Sequence, residues 1–232
     1  VAGHYRALSV WCAWLVKRGT LPDHPMRTIP RPKQPRHRIA YITPAELSVL
    51  LGAISTVAWS DVRDQALLRL LFYSGLRVGE AVALYAGEVD MHRRVLLVRR
   101  AKGGSARLVP FADEVAPPLL EYLYRRPPWP GPELWLSNDG YGGVRGLLTT
   151  EGVRQMLRRR CKAAGMRYIN PHAFRHGFAM WTLNAGMELS AVSAAMGHSS
   201  TQITQSTYAR WLPAGLQREY TEAYARLRSH ND

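Results

Sequence analysis

The sequence predicts a mainly α-helical α+β protein with a small antiparallel β-sheet. Three observations carry this. Most of the chain falls into capped stretches whose apolar residues recur at helical spacing. One segment, 94–111, reads instead as two short strands that double back across a glycine-rich turn. A proline-rich stretch at 20–38 separates a single N-terminal helix from everything that follows.

Residues 1–18 read as one helix, with Tyr5, Leu8, Trp11, Cys12 and Leu15 as its apolar stripe and Gly19 as its stop. Five prolines between 22 and 35 then exclude regular helix. Residues 1–38 carry eight Lys/Arg against Asp23 alone, half of the chain's positive excess in a sixth of its length. A basic strap along a phosphate backbone is favoured there over a merely solvated tether. Thr43-Pro-Ala-Glu46 is a capping box with proline at the first helical position, and Leu47, Leu50 and Leu51 form the buried face behind it. A longer helix is predicted over 59–74, ended by Gly75, with Arg77 at the corner that leads into the next helix.

The segment 94–111 is a predicted hairpin, placing Lys102 at a tip flanked by glycines. A helix near 113–125 is expected to be interrupted at Pro117-Pro118. Glu133 to Leu136 reads as a short strand and 139–148, with four glycines, as a flexible loop. Thr150 is predicted to cap a helix reaching Ala164, whose Arg158-Arg-Arg160 run reads as a wet face open to a DNA contact. Asn170 and Pro171 open the next helix, over 170–185. A short helix ends at Gly197, Tyr208 lies in a polar segment, and 214–228 form a last amphipathic helix suited to a core or a neighbouring molecule.

The chain has 232 residues, a net charge of +14, and only four lysines among its 31 basic residues. Such an arginine excess points to a polyanion, nucleic acid first. The two cysteines, Cys12 and Cys161, fit neither a zinc pattern nor a disulfide framework. No run is long enough for a transmembrane span and no signal peptide is visible, so a reduced, cytoplasmic protein is expected. A start at Val1 rather than Met leads one to expect a fragment.

The helix opening at Asn170 carries the chemistry. His172 and Arg175 lie one turn apart on one face, beside free N–H groups and a positive dipole end. That is a phosphate seat, and a tyrosine nearby is a candidate nucleophile. Arg77 in Ser-Gly-Leu-Arg-Val-Gly-Glu, Lys102 on a hairpin, His172-Ala-Phe-Arg175-His, Gly-His198-Ser-Ser and Tyr208 follow in that order. Together they resemble the tyrosine recombinase (phage integrase) family over residues 40–212, with the N-terminal piece resembling the last helix of a truncated core-binding domain.

The resemblance implies a tyrosine-recombinase-like catalytic domain over 39–232. It implies an enzyme that cuts and rejoins double-stranded DNA at a specific site through a 3′-phosphotyrosyl link, with no metal and no nucleotide cofactor. It further implies self-association as a tetramer on DNA. Tyr208 matches the nucleophile, Arg77 and Arg175 the two arginines that stabilise the phosphate, and His172 the base. Lys102 matches the proton donor to the leaving oxygen, and His198 a hydrogen bond to the phosphate. Tyr208 stands one residue further from His198 than the family pattern suggests. His176 is read as packing or support, and Glu80 as a partner for Arg77. Rival readings are a type IB topoisomerase-like enzyme and a noncatalytic DNA-binding regulator.

Overall fold

The computed structural model describes residues 2–32, 40–99, 106–197, 204, 207 and 208. The hairpin tip with Lys102, His198 and the predicted helix at 214–228 lie outside the described residues. Two compact units divide at the proline-rich stretch, residues 1–39 and residues 40–232.

In the first unit, α1 (Ala2–Lys17) is the predicted helix. Gly19, at φ 72, and the chain beyond it fold back on α1. The Tyr5 hydroxyl donates to the Ile29 carbonyl, and the His24 ring bonds the Ser9 carbonyl. Cys12 is buried, whereas Leu8, Val10, Trp11 and Trp14 remain largely exposed.

The second unit is built around a helix apolar on almost every side. After α2 (Pro44–Gly52), whose Thr43–Glu46 capping box forms as predicted, comes α3 (Trp59–Ser74). Val62, Ala66, Leu67, Leu68, Leu70, Leu71 and Phe72 of α3 are all buried. Such a helix needs cover all round. It receives it from α5 (Ala116–Arg125), with buried Leu119 and Tyr122, and from α7 (Pro171–Asn184), with buried Ala173 and Phe174. Each fully buried leucine contributes about 1.5–3 kcal/mol. The double proline falls at the first turn of α5, where missing N–H groups cost nothing, so it opens the helix instead of interrupting it.

A three-stranded antiparallel sheet is formed by β1 (Val89–Asp90), β2 (Val95–Val98) and β3 (Arg107–Pro110). Leu96 faces Val109 across the central pair and both are fully buried. A second pair, β4 (Leu136–Asn138) with β5 (Val144–Leu147), occupies the stretch read as strand plus loop. The glycines there shape a hairpin because Trp135 and Leu136 are anchored in the core. The Leu148 N–H then bonds the Trp135 carbonyl and keeps the return strand in place.

The chain continues through α6 (Thr150–Ala163), capped by the Thr149 side chain one residue before the predicted cap. Arg160 of the basic run turns inward to Asp61 and Asp64 on α3, so it belongs to a half-buried ion cluster rather than a wet face. Burial alone would let that guanidinium lose its proton more easily, but the two aspartates outweigh it and raise its pKa.

Two short helices flank the charged cluster around Glu80: α4 (Val78–Val82) and α8 (Leu189–Met196). Gly75 ends α3 in the left-handed region, at φ 64, and a Cβ there would run into the Phe178 ring. Gly75→Ala is therefore expected to destabilise the protein by about 1–3 kcal/mol, from strain and overpacking together. Urea unfolding would read it, and an unchanged midpoint would contradict the packing described.

Candidate active site

Arg175 is placed by the opening of α7. The Asn170 side chain accepts from the Ala173 N–H at 3.1 Å, and Pro171 supplies the first turn. With Ala173, Phe174, Gly177 and Phe178 buried around it, Arg175 is drawn inside and is only 5 % exposed. Its Nη1 donates to the Gly75 carbonyl at 2.7 Å. Its Nη2 is buried without a partner among the described residues. Burial, and then the positive charge of Arg77, bring the Arg175 guanidinium down to about 10.

Arg77 stands at the entrance of α4. Its backbone N–H donates to Glu80 Oε2 at 2.9 Å, and its Nη1 to Glu80 Oε1 at 3.1 Å. Its guanidinium also reaches the carbonyls of Gly197, at 3.4 Å, and Met196, at 3.5 Å, at the end of α8. Arg107 comes from β3 and grips Glu80 with two hydrogen bonds of 3.0 Å each. Burial would raise the Glu80 carboxyl, but the Arg107 hydrogen bonds, the Arg77 N–H and both guanidinium charges prevail and lower it. Two guanidiniums therefore share one buried carboxylate, and the Arg175 guanidinium lies near enough to feel the charges of all three. The surplus charge and the orphan Nη2 suit an anion.

Tyr208 adjoins this cluster and is only 1 % exposed, packed with Phe178, Met180, Val192 and Met196. Its hydroxyl lies 2.6 Å from Nδ1 of His176. Burial pushes the phenol up to about 12, against the pull of Arg175. Burial, with His172 and Arg175 nearby, brings His176 down to about 4. At neutral pH the phenol keeps its proton and the imidazole is uncharged; the phenol donates to Nδ1 in the tautomer protonated at Nε2 and accepts from it in the other.

Comparison with known proteins places the chain in a family. Residues 40–214 match the model of the Phage integrase family. The chain belongs to the phage integrase family. A tyrosine recombinase XerC of Roseiflexus sp. (strain RS-1) is 32% identical over 214 residues, covering 88% of this chain and 66% of the relative. A tyrosine recombinase XerD of Neisseria meningitidis serogroup B (strain ATCC BAA-335 / MC58) is 31% identical over 197 residues, covering 83% of this chain and 66% of that one. The crystal structure of XerA recombinase superposes with a TM-score of 0.68 at 31% identity, over 82% of this chain and 66% of that one. This phage integrase family chain thus spans just under two thirds of the length of these relatives.

Of the residues singled out in this family member's sequence, Arg77, Arg175 and Tyr208 are brought into one neighbourhood, linked through Gly75 and the charges of the cluster. His172 is exposed in the first turn of α7 and close enough to act on His176 electrostatically. Lys102 and His198 lie outside the described residues. The partnership of Arg77 with Glu80 is present as expected. Two participants were not among the expected catalytic residues. His176, read as packing or support, touches the phenol itself, and Arg107 holds Glu80. A signal for Arg107 existed: it alternates with Val109 on the inward face of β3, where a charge needs a partner.

The His176 shift carries a pH prediction. Its native pKa lies below the ordinary value, so the unfolded chain binds the proton more readily. Stability is therefore unaffected above about pH 6.5 and falls as pH drops from there towards 4. His176→Gln is expected to flatten that dependence by about one proton, read by urea unfolding at several pH values. An unchanged slope would contradict the burial of a neutral His176.

Proposed function

We propose that this chain carries the catalytic part of a site-specific DNA recombinase. Tyr208 Oη attacks a backbone phosphorus, the bond to the 5′-oxygen breaks, and a 3′-phosphotyrosyl link holds the strand end. The reverse attack by a 5′-hydroxyl rejoins DNA without an outside energy source, because the phosphodiester energy is stored in the link. The observation that carries this is the cation cluster beside the phenol, with a buried guanidinium nitrogen of Arg175 left unbonded among the described residues. Negative charge grows on the nonbridging oxygens during in-line displacement, and fixed guanidiniums stabilise it most there. Arg77 and Arg175 are assigned to that task.

The resting pair of Tyr208 and His176 is not itself reactive. A phenol near pKa 12 beside an imidazole near pKa 4 keeps its proton. Attack therefore needs the phenol to leave this bond as DNA enters. His172 is assigned to receive the proton, Lys102 to protonate the leaving 5′-oxygen, and His198 to bond the phosphate. Double-stranded DNA is the substrate, with the basic residues of 1–38 along its backbone, and assembly on it is tetrameric.

The test is covalent capture. The protein is incubated with a pool of nicked duplexes of randomised sequence, denatured, and the DNA that stays attached is sequenced. Attached DNA sharing one sequence at the break is expected. Absence of any attached DNA would overturn the reading, and attachment without a shared sequence would favour a strand-relaxing enzyme.

A further inference from the structure

Arg107 is the member of the cluster for which the motif order offers no role. Its two terminal nitrogens meet the two oxygens of Glu80 side by side, Nη1 to Oε1 and Nη2 to Oε2, each at 3.0 Å. The same oxygens hold Arg77, Oε1 its guanidinium and Oε2 its backbone N–H. Arg107 Nη2 and Arg77 Nη1 also share the Met196 carbonyl, each at 3.5 Å. Gly197 permits this approach: a Cβ there would come within 2.5 Å of Arg107 Cζ. One guanidinium thus ties β3 to α4 and to the end of α8.

We propose that Arg107 is a positioning residue that clamps Glu80, so that Glu80 holds the Arg77 guanidinium in the orientation that receives the phosphate. The proposal rests on the recombinase reading above. The Arg77 side chain is 41% exposed, so little packing restrains it, whereas the Glu80 side chain is only 4% exposed. Without Arg107, the buried carboxylate has only Arg77 to satisfy it. It then turns to bond both Arg77 nitrogens, drawing them from the position a phosphate needs. A lysine keeps the charge of Arg107 but cannot make the paired contact. A misplacement of about 1 Å at such a site costs on the order of 100-fold in rate.

Two measurements test the clamp on Arg107→Met, Arg107→Lys, Glu80→Gln and the double variant Glu80→Gln/Arg107→Met. The first is the Nε–Hε NMR signal of Arg77, assigned from its loss in Arg77→Lys. It is expected to shift and broaden in Arg107→Met and in Arg107→Lys while backbone signals far from the cluster stay put. The second is single-turnover cleavage at saturating concentration of a nicked duplex recovered by covalent capture. A fall of about 10- to 100-fold is expected, with DNA affinity within about twofold of the parent, and the double variant no slower than the slower single one.

An unmoved Arg77 signal, or parental cleavage in Arg107→Met, overturns the clamp and leaves the recombinase reading standing. Losses that multiply in the double variant show that Arg107 acts independently of Glu80, which also overturns it. If the parent protein never attaches to DNA, the recombinase reading fails, and the Arg77 signal alone then decides the clamp. Should Arg107→Met fail to fold, Arg107→Lys carries both measurements.

Discussion

Tyr208→Phe is expected to abolish covalent attachment to DNA while DNA binding persists. The ring stays among Phe178, Met180, Val192 and Met196, so the packing of the pocket is kept. Only the hydroxyl is lost, and with it the bond to His176 Nδ1. A part-buried ring nitrogen left without its partner costs about 1–3 kcal/mol, so a modest drop in stability accompanies the change. The chemical effect is of another order. A missing nucleophile removes the covalent route itself, and a loss of about 10⁴-fold or more is expected. Denaturing gels of protein incubated with the captured duplex read attachment, and a mobility-shift titration reads binding. Undiminished covalent complex in Tyr208→Phe would overturn the assignment of the nucleophile.

The second large effect is at Arg175, where activity and stability are expected to part. Arg175→Met should lower single-turnover cleavage by about 100- to 1000-fold, the size of removing one fixed donor from a site of developing negative charge. Stability should be unchanged or should rise. Among the described residues the buried guanidinium has one hydrogen bond and one orphan nitrogen, and burial with the charges of Arg77 and Arg107 outweighs the favourable charge of Glu80. A flexible apolar side chain of similar length removes that cost, and such replacements of buried charge are often neutral or stabilising. The lost bond to the Gly75 carbonyl works in the other direction, but an under-satisfied carbonyl is cheaper than a buried unpaired charge. Calorimetry and the cleavage assay together give the test. A loss of more than about 2 kcal/mol would mean that Arg175 is held for the fold rather than for a phosphate.

Helices were the most legible part of the chain. The capping box at Thr43 and the stop at Gly75 depend on neighbours within a few residues, and both are where the local pattern puts them. The partnership of Arg77 with Glu80 is local in the same way, three residues apart at one helix start. The hairpin of β4 and β5 was not legible, because its glycines suit a loop equally well until Trp135 is seated in the core. Arg160 was misread for a similar reason, since its partners Asp61 and Asp64 are nearly a hundred residues away.

The sequence by itself determined the helical class, the family and the order of Arg77, Arg175 and Tyr208 along the chain. Only the tertiary structure decided that Arg107 closes on Glu80 and that Tyr208 rests against His176. Caps and apolar periods report contacts between near neighbours. The pairing of a guanidinium with a carboxylate 27 residues away, or of a phenol with an imidazole 32 residues away, is set by how the packed helices and strands meet.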